Sequence, residues 1–176
     1  LGDIPAGILH FAQVDGDPAD DLLVVQSDVV NRVNAASDVE QFPREAGAGE
    51  PAFVRSFDVD SDGVEELLVV DDAGSARVVV WGGAETEVAS GVLEAYVGNF
   101  LGDGALELVV QLSSSPTLIE IYSLSVDGVS LLETLQDPRQ STLLPMGAAD
   151  EDGFQNIRLA TFGEGAADFL QYYGEP

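Results

Sequence analysis

The chain has 176 residues, 45% of them apolar, which is enough for a substantial core and excludes a disordered acidic tail. Its 32 Asp and Glu face only 6 basic residues, all Arg, for a formal net charge of −26, and such a surface repels nucleic acid and anionic lipid. There is no Cys, hence no disulfide and no thiolate metal site, and no apolar run approaches the roughly 20 residues that cross a bilayer as a helix, so neither nucleic-acid binding nor membrane insertion is expected.

Taken in order, the chain repeats one unit four times: an apolar stretch, a nine-position loop and a short β-branched run. In the first unit a strand carrying His10 and Phe11 leads to Gln13-Val14-Asp15-Gly16-Asp17-Pro18-Ala19-Asp20-Asp21 and then to Leu22-Leu23-Val24-Val25. Residues 31–40 show little period after that, and 41–51, rich in Gly, Ala and Pro, read as a loop. The second unit predicts strands over 52–57, 66–70 and 76–81, a turn at Asp71-Asp72-Ala73-Gly74, and a weak outer strand over 86–89. The third predicts strands over 95–98, 107–112, 118–124 and 129–135, with Val126-Asp127-Gly128-Val129 as a hairpin signal, because Asp-Gly favours the tight turn. The fourth runs from Leu143 through 157–162 to 168–173 and stops short of an outer strand, which residues 1–4 or another copy would supply unless the chain is part of a larger propeller.

Aligned on loop position nine, residues Asp21, Glu66, Glu107 and Asn156 lie 45, 41 and 49 residues apart. A period in the forties with short, turn-bounded apolar runs inside it points to blades and away from helical repeats. The expected fold is therefore all-β: a single-domain β-propeller of about four blades of antiparallel strands, with repeats near 1–51, 52–93, 94–141 and 142–176.

The second loop, Asp58-Val59-Asp60-Ser61-Asp62-Gly63-Val64-Glu65-Glu66, carries the clearest chemistry. Acidic side chains fall at positions one, three, five and nine, and Gly63 permits a sharp turn at position six. A hard cation such as Ca²⁺ takes six to eight oxygens at about 2.3–2.6 Å, and alternate side chains of a tight loop can converge on one ion. Asp58, Asp60, Asp62 and Glu66 would supply carboxylates, and Val64 a backbone carbonyl. An EF-hand is excluded, because its twelfth position would be Val69, inside an apolar run with no helix signal.

With their Asp-rich turns followed by Leu and a strand, these loops resemble the FG-GAP/VCBS repeat family, which includes the repeats of the integrin alpha-subunit propeller. The resemblance spans nearly the whole chain. It implies Ca²⁺ in the turn between the first two strands of a blade, and a mostly extracellular role in adhesion or ligand binding. Carried over by position, it makes Asp15, Asp17, Asp21 and the Ala19 carbonyl ligands in the first loop, where Gln13 and Pro18 depart from the pattern. In the third loop, Asn99-Phe100-Leu101-Gly102-Asp103-Gly104-Ala105-Leu106-Glu107, it makes Asn99, Asp103 and Glu107 ligands, while Leu101 removes a central one. In the fourth it makes Asp150, Asp152, Asn156 and the Phe154 carbonyl ligands, with Ala148 where the first would be. Ligand charge tunes affinity, so the expected order is second, first, fourth, third.

Little else in the sequence suggests chemistry. His10, the lone histidine, reads as structural, and no spacing argument joins it to a nucleophile. Gly47-Ala48-Gly49 is followed by Glu50 and Pro51, which is not a phosphate-binding loop. Trp81, Tyr96, Tyr122, Tyr172 and Tyr173 read as fillers between blades before sugar platforms. Asp71, Asp72, Glu85 and Glu87 read as solvated surface. The lysine-free composition resembles that of proteins from salt-loving archaea, and both bound cations and strong brine would relieve the self-repulsion. The expected function is a non-enzymatic, Ca²⁺-binding adhesion or ligand-binding module, extracellular or on a cell or virus surface, with a surface protein or glycan as partner. A structural repeat of a surface assembly, associating through an open blade edge, is the first alternative. A polysaccharide-acting enzyme or its accessory domain is the second.

Overall fold

The computed structural model describes residues 7–17, 19–34, 38–81, 85–101, 103–125, 127–144, 157–163 and 166–172. Among these, every regular element is a strand, and every strand pairing is antiparallel. The chain divides into two compact units, residues 1–90 and 91–176.

The first unit holds two four-stranded meanders. One is β1 (Ile8–Ala12), β2 (Asp21–Val25), β3 (Val29–Val33) and β4 (Val39–Pro43). The other is β5 (Pro51–Phe57), β6 (Glu66–Asp71), β7 (Ala76–Val79) and β8 (Glu85–Ala89). Ladder register decides which faces meet. Leu23 and Val25 point from β2 to one side, and with Ala12, Val14 and Val30 they form one core cluster with Val54, Leu67, Val69 and Val79 of the second sheet. The first sheet thus uses loop-numbered positions eleven and thirteen of its second strand, and the second sheet uses ten and twelve. Each Val or Leu buried in this way contributes about 1.5–3 kcal/mol.

The second unit holds β9 (Glu94–Gly98), β10 (Glu107–Ser114), β11 (Thr117–Ser125) and β12 (Gly128–Asp137) in one sheet. A three-stranded sheet of β13 (Ser141–Leu143), β14 (Ile157–Gly163) and β15 (Ala166–Tyr172) completes the described residues. Phe100, Val109, Ile119, Ile121 and Leu143 form its core cluster, with Tyr96 and Leu135 packed against it. Buried Gln111 ties the two sheets: its Nε2 donates to the Ser141 carbonyl at 2.8 Å, and its Oε1 accepts the Leu143 N–H at 2.8 Å.

Several expectations need correction. Residues 39–43, read as aperiodic or loop, form the edge strand β4. Nearly every residue of that strand is exposed, so no alternation marks it, and Pro43 is tolerated because an edge N–H needs no ladder partner. At the β11–β12 hairpin, Gly128 stands opposite Ser125 in the ladder, with φ 138°, and so is not at the centre of the turn. Asp71, read as solvated, is buried, and so is the side chain of Glu85, also read as solvated, a residue half-buried as a whole. Asp71 Oδ1 accepts the N–H groups of Ala73 and Ser75, and Glu85 pairs with Arg44, the two side chains being 4% and 1% exposed. The expected contribution of residues 1–4 lies outside the described residues. No described helix is long and apolar enough to cross a membrane.

Candidate metal centre in the second loop

Three loops close on equivalent pairs. The residue before position one faces position nine across the ladder: Ala12 opposite Asp21, Phe57 opposite Glu66, Gly98 opposite Glu107. Position two points into the core in the first and third loops, where Val14 and Phe100 are buried. Positions one, three and five are thereby left on the outer side. The position-five Asp caps the position-seven N–H in all three: Asp17 to Ala19 at 2.7 Å, Asp62 to Val64 at 2.7 Å, Asp103 to Ala105 at 2.9 Å. At position six, Gly63 and Gly104 share a φ of 87°, a conformation that side-chain-bearing residues rarely adopt.

Within this common frame the second loop brings Asp58, Asp60 and Asp62 together, one carboxylate oxygen from each lying within 4.8 Å of the others. Backbone donors hold them there. The Asp62 N–H reaches Asp58 Oδ1 and Asp60 Oδ1, each at 3.2 Å, and the Gly63 N–H reaches Asp58 Oδ2 at 2.9 Å. Ser61 takes a positive φ of 61° to allow it. Glu66 is buried beneath, its Oε2 accepting the Val59 N–H at 3.0 Å. Burial pushes the Glu66 carboxyl above the usual range. The Val59 N–H opposes that rise, and the nearby Asp60 and Asp58 charges add to it. Val64 sits in the same turn with its N–H on Asp62. This all-oxygen, acid-only donor set fits a hard divalent cation and not a soft one.

The other loops are arranged differently. In the first, Gln13 Oε1 accepts the N–H groups of Asp15 and Gly16, each at 2.9 Å. Asp15 and Asp21 both pair with Arg32, whose Nε lies 2.8 Å from Asp21 Oδ2. Burial works against the Arg32 charge, but its bonds to Asp21 and Asp15 outweigh it and raise the pKa. In the third, Leu101 holds position three, and buried Glu107 accepts the N–H groups of Phe100 at 2.6 Å and Leu101 at 3.1 Å. Asn99 and Asp103 complete that loop without joining a three-carboxylate cluster. Asp150, Asp152, Phe154 and Asn156 lie outside the described residues.

Several hydrogen bonds that organise the site left no sequence signal. Trp81 packs against the core cluster, edge-on to Phe42 with centroids 4.9 Å apart, and donates from Nε1 to the Glu65 carbonyl at 2.5 Å. Glu65 in turn ties the first loop to the second: its N–H donates to the Gln13 carbonyl at 2.6 Å, and its Oε2 accepts the Gln13 N–H at 2.9 Å. His10 lies in β1, its Nε2 buried without a partner and its pKa lowered chiefly by burial. No protein-family model and no curated protein matches the chain.

Proposed function

We propose that this chain is a non-enzymatic, calcium-binding repeat module of the propeller type. It would work outside the cell or on a cell or virus surface, presenting rigid loops to a surface protein or glycan. The carrying observation is the convergence of Asp58, Asp60 and Asp62 on one point. A cation there ties the first and second strands of a sheet through their loop and offsets carboxylate repulsion. Stability then rises with free Ca²⁺ because the ion binds the folded chain alone. Three loops with the same closing pair support the repeat reading, and the common sheet topology supports blades. Calorimetric titration with Ca²⁺, at fixed ionic strength and against KCl, tests the metal. A heat signal that Asp60→Ala abolishes is expected, and stabilisation by any salt equally would leave only the brine explanation.

A specific surface favours the assembly alternative. Phe11, Leu22, Val33 and Val39 stand side by side across the four strands of the first sheet. Phe11 is 65% and Val39 59% exposed, and Leu9 on the same face is 57% exposed. The residue equivalent to Leu22 in the next sheet, Leu67, is buried in the core cluster. A covering sheet face from another copy suits this row better than edge pairing does. Sedimentation across protein concentration decides: association weakened by Phe11→Ser supports it, and a monomer throughout rejects it.

A further inference from the structure

We propose that in the first loop the chain's own Arg32 guanidinium occupies the place that a divalent cation takes in the second, so this loop is neutralised from within and needs no metal. The inference goes beyond the metal reading of the second loop and is tested separately from it. Arg32 sits on β3 opposite Leu23, loop-numbered position eleven. The residues at the same ladder position in the next two sheets are Val78, opposite Leu68, and Ile121, opposite Val109. Of these three repeats, only the first places a cation on the third strand at that point. Arg32 reaches Asp15 and Asp21, positions three and nine, and a third carboxylate, Glu40 Oε2, at 3.3 Å. Its side chain is 12% exposed and that of Asp21 5%, so the pair is shielded from water.

The first position agrees with this assignment. Gln13 replaces the acid found at Asp58, and its side-chain Oε1 is already held by two backbone N–H groups. The loop has thus lost one negative ligand and gained one fixed positive charge. A guanidinium presents several donors in a rigid fork that matches carboxylates, so it can hold two of them at once as an ion does. Displacing it to admit Ca²⁺ would leave a shielded cation with only the exposed Glu40 as partner, which is costly.

Asp17 separates the two possibilities. It would be a ligand at position five, yet Arg32 pairs with Asp15, Asp21 and Glu40 and not with it, and among the described residues its carboxylate accepts only the Ala19 N–H. Asp17→Asn preserves that cap. Calorimetric Ca²⁺ titration of the full chain should therefore give Asp17→Asn the same stoichiometry as the parent, with affinity unchanged within about twofold. Arg32→Met should release Asp15 and Asp21, lower the melting temperature in chelator, and gain about one further equivalent of weakly bound Ca²⁺. Loss of an equivalent in Asp17→Asn overturns the proposal, and so does an Arg32→Met chain that folds without gaining one. If Arg32→Met does not fold, the Asp17→Asn titration decides alone. Asp60→Ala, run alongside, reports on the second loop only, so its failure to change Ca²⁺ binding would count against that loop and not against Arg32.

Discussion

The second and third loops share a backbone and differ in the side chains they gather. Both close on the pair before position one and position nine, both turn at a glycine with φ 87°, and both cap position seven with the Asp at position five. In both, the position-nine Glu accepts the N–H of position two. Yet the second gathers three carboxylates at one point, and the third, with Leu101 at position three, does not. The loop shape therefore does not need the ion. Backbone-to-Asp bonds and a left-handed glycine build the turn, and the acids at positions one and three are free to vary with function.

The sharpest way to break that comparison is to remove the shared anchor. Glu107→Ala leaves the buried N–H of Phe100 and the partly buried N–H of Leu101 without their acceptor. At about 1–3 kcal/mol for each orphaned donor, the expected loss is about 3 kcal/mol, or a melting temperature lower by roughly 6–12 °C. The loss should be the same in Ca²⁺ and in chelator. A loss confined to Ca²⁺ would mean that the third loop also holds an ion.

Removing the ion from the second loop should have the next largest effect. At a hundredfold excess of free Ca²⁺ over its dissociation constant the stabilisation is about 2.7 kcal/mol, or roughly 5–10 °C. Asp60→Ala should erase that shift while leaving the melt in chelator nearly unmoved, since Asp60 contributes only one long bond to the turn. A wild-type transition indifferent to chelator would reduce the cluster to an acidic surface turn.

Legibility followed distance along the chain. The second loop could be read because its candidate ligands are neighbours, and alternation alone puts them on one side. The strands of the second and third sheets were legible for a similar reason: Leu67 to Val70 and Leu108 to Val110 are apolar runs bounded by turns. What could not be read depends on register. Arg32 meets Asp21 only because β3 folds back beside β2, and nothing local couples a residue to another eleven positions away. The buried Arg44–Glu85 pair spans forty-one positions, so Glu85 looked like any surface acid. Gln111 lies inside the predicted strand over 107–112, and nothing local marks its amide as the join between two sheets of the second unit. Edge strand β4 escaped notice because neither of its faces is deeply covered.

The smallest effect separates the two anchoring glutamates by pH. Burial pushes both Glu66 and Glu107 above the ordinary range, and neighbouring aspartates add to it: Asp60 and Asp58 at the former, Asp103 at the latter. A carboxyl with a raised folded pKa binds its proton more tightly in the folded chain. Its contribution is therefore most favourable below the unfolded value of about 4.3 and is lost as pH rises through the folded value. In chelator, melting temperature should fall across that window, and Glu66→Gln and Glu107→Gln should each flatten part of the slope. Desolvation leads at both residues, so an ion that only offset the Asp58 and Asp60 charges would trim the Glu66 part slightly; an ion bound by Glu66 itself would remove it, while the Glu107 part would persist. The slope is the better readout than the offset, because a Gln amide changes the buried hydrogen bonding at every pH. A Glu66 contribution that survives saturating Ca²⁺ would detach that residue from the ion and leave the three aspartates as its only carboxylate ligands.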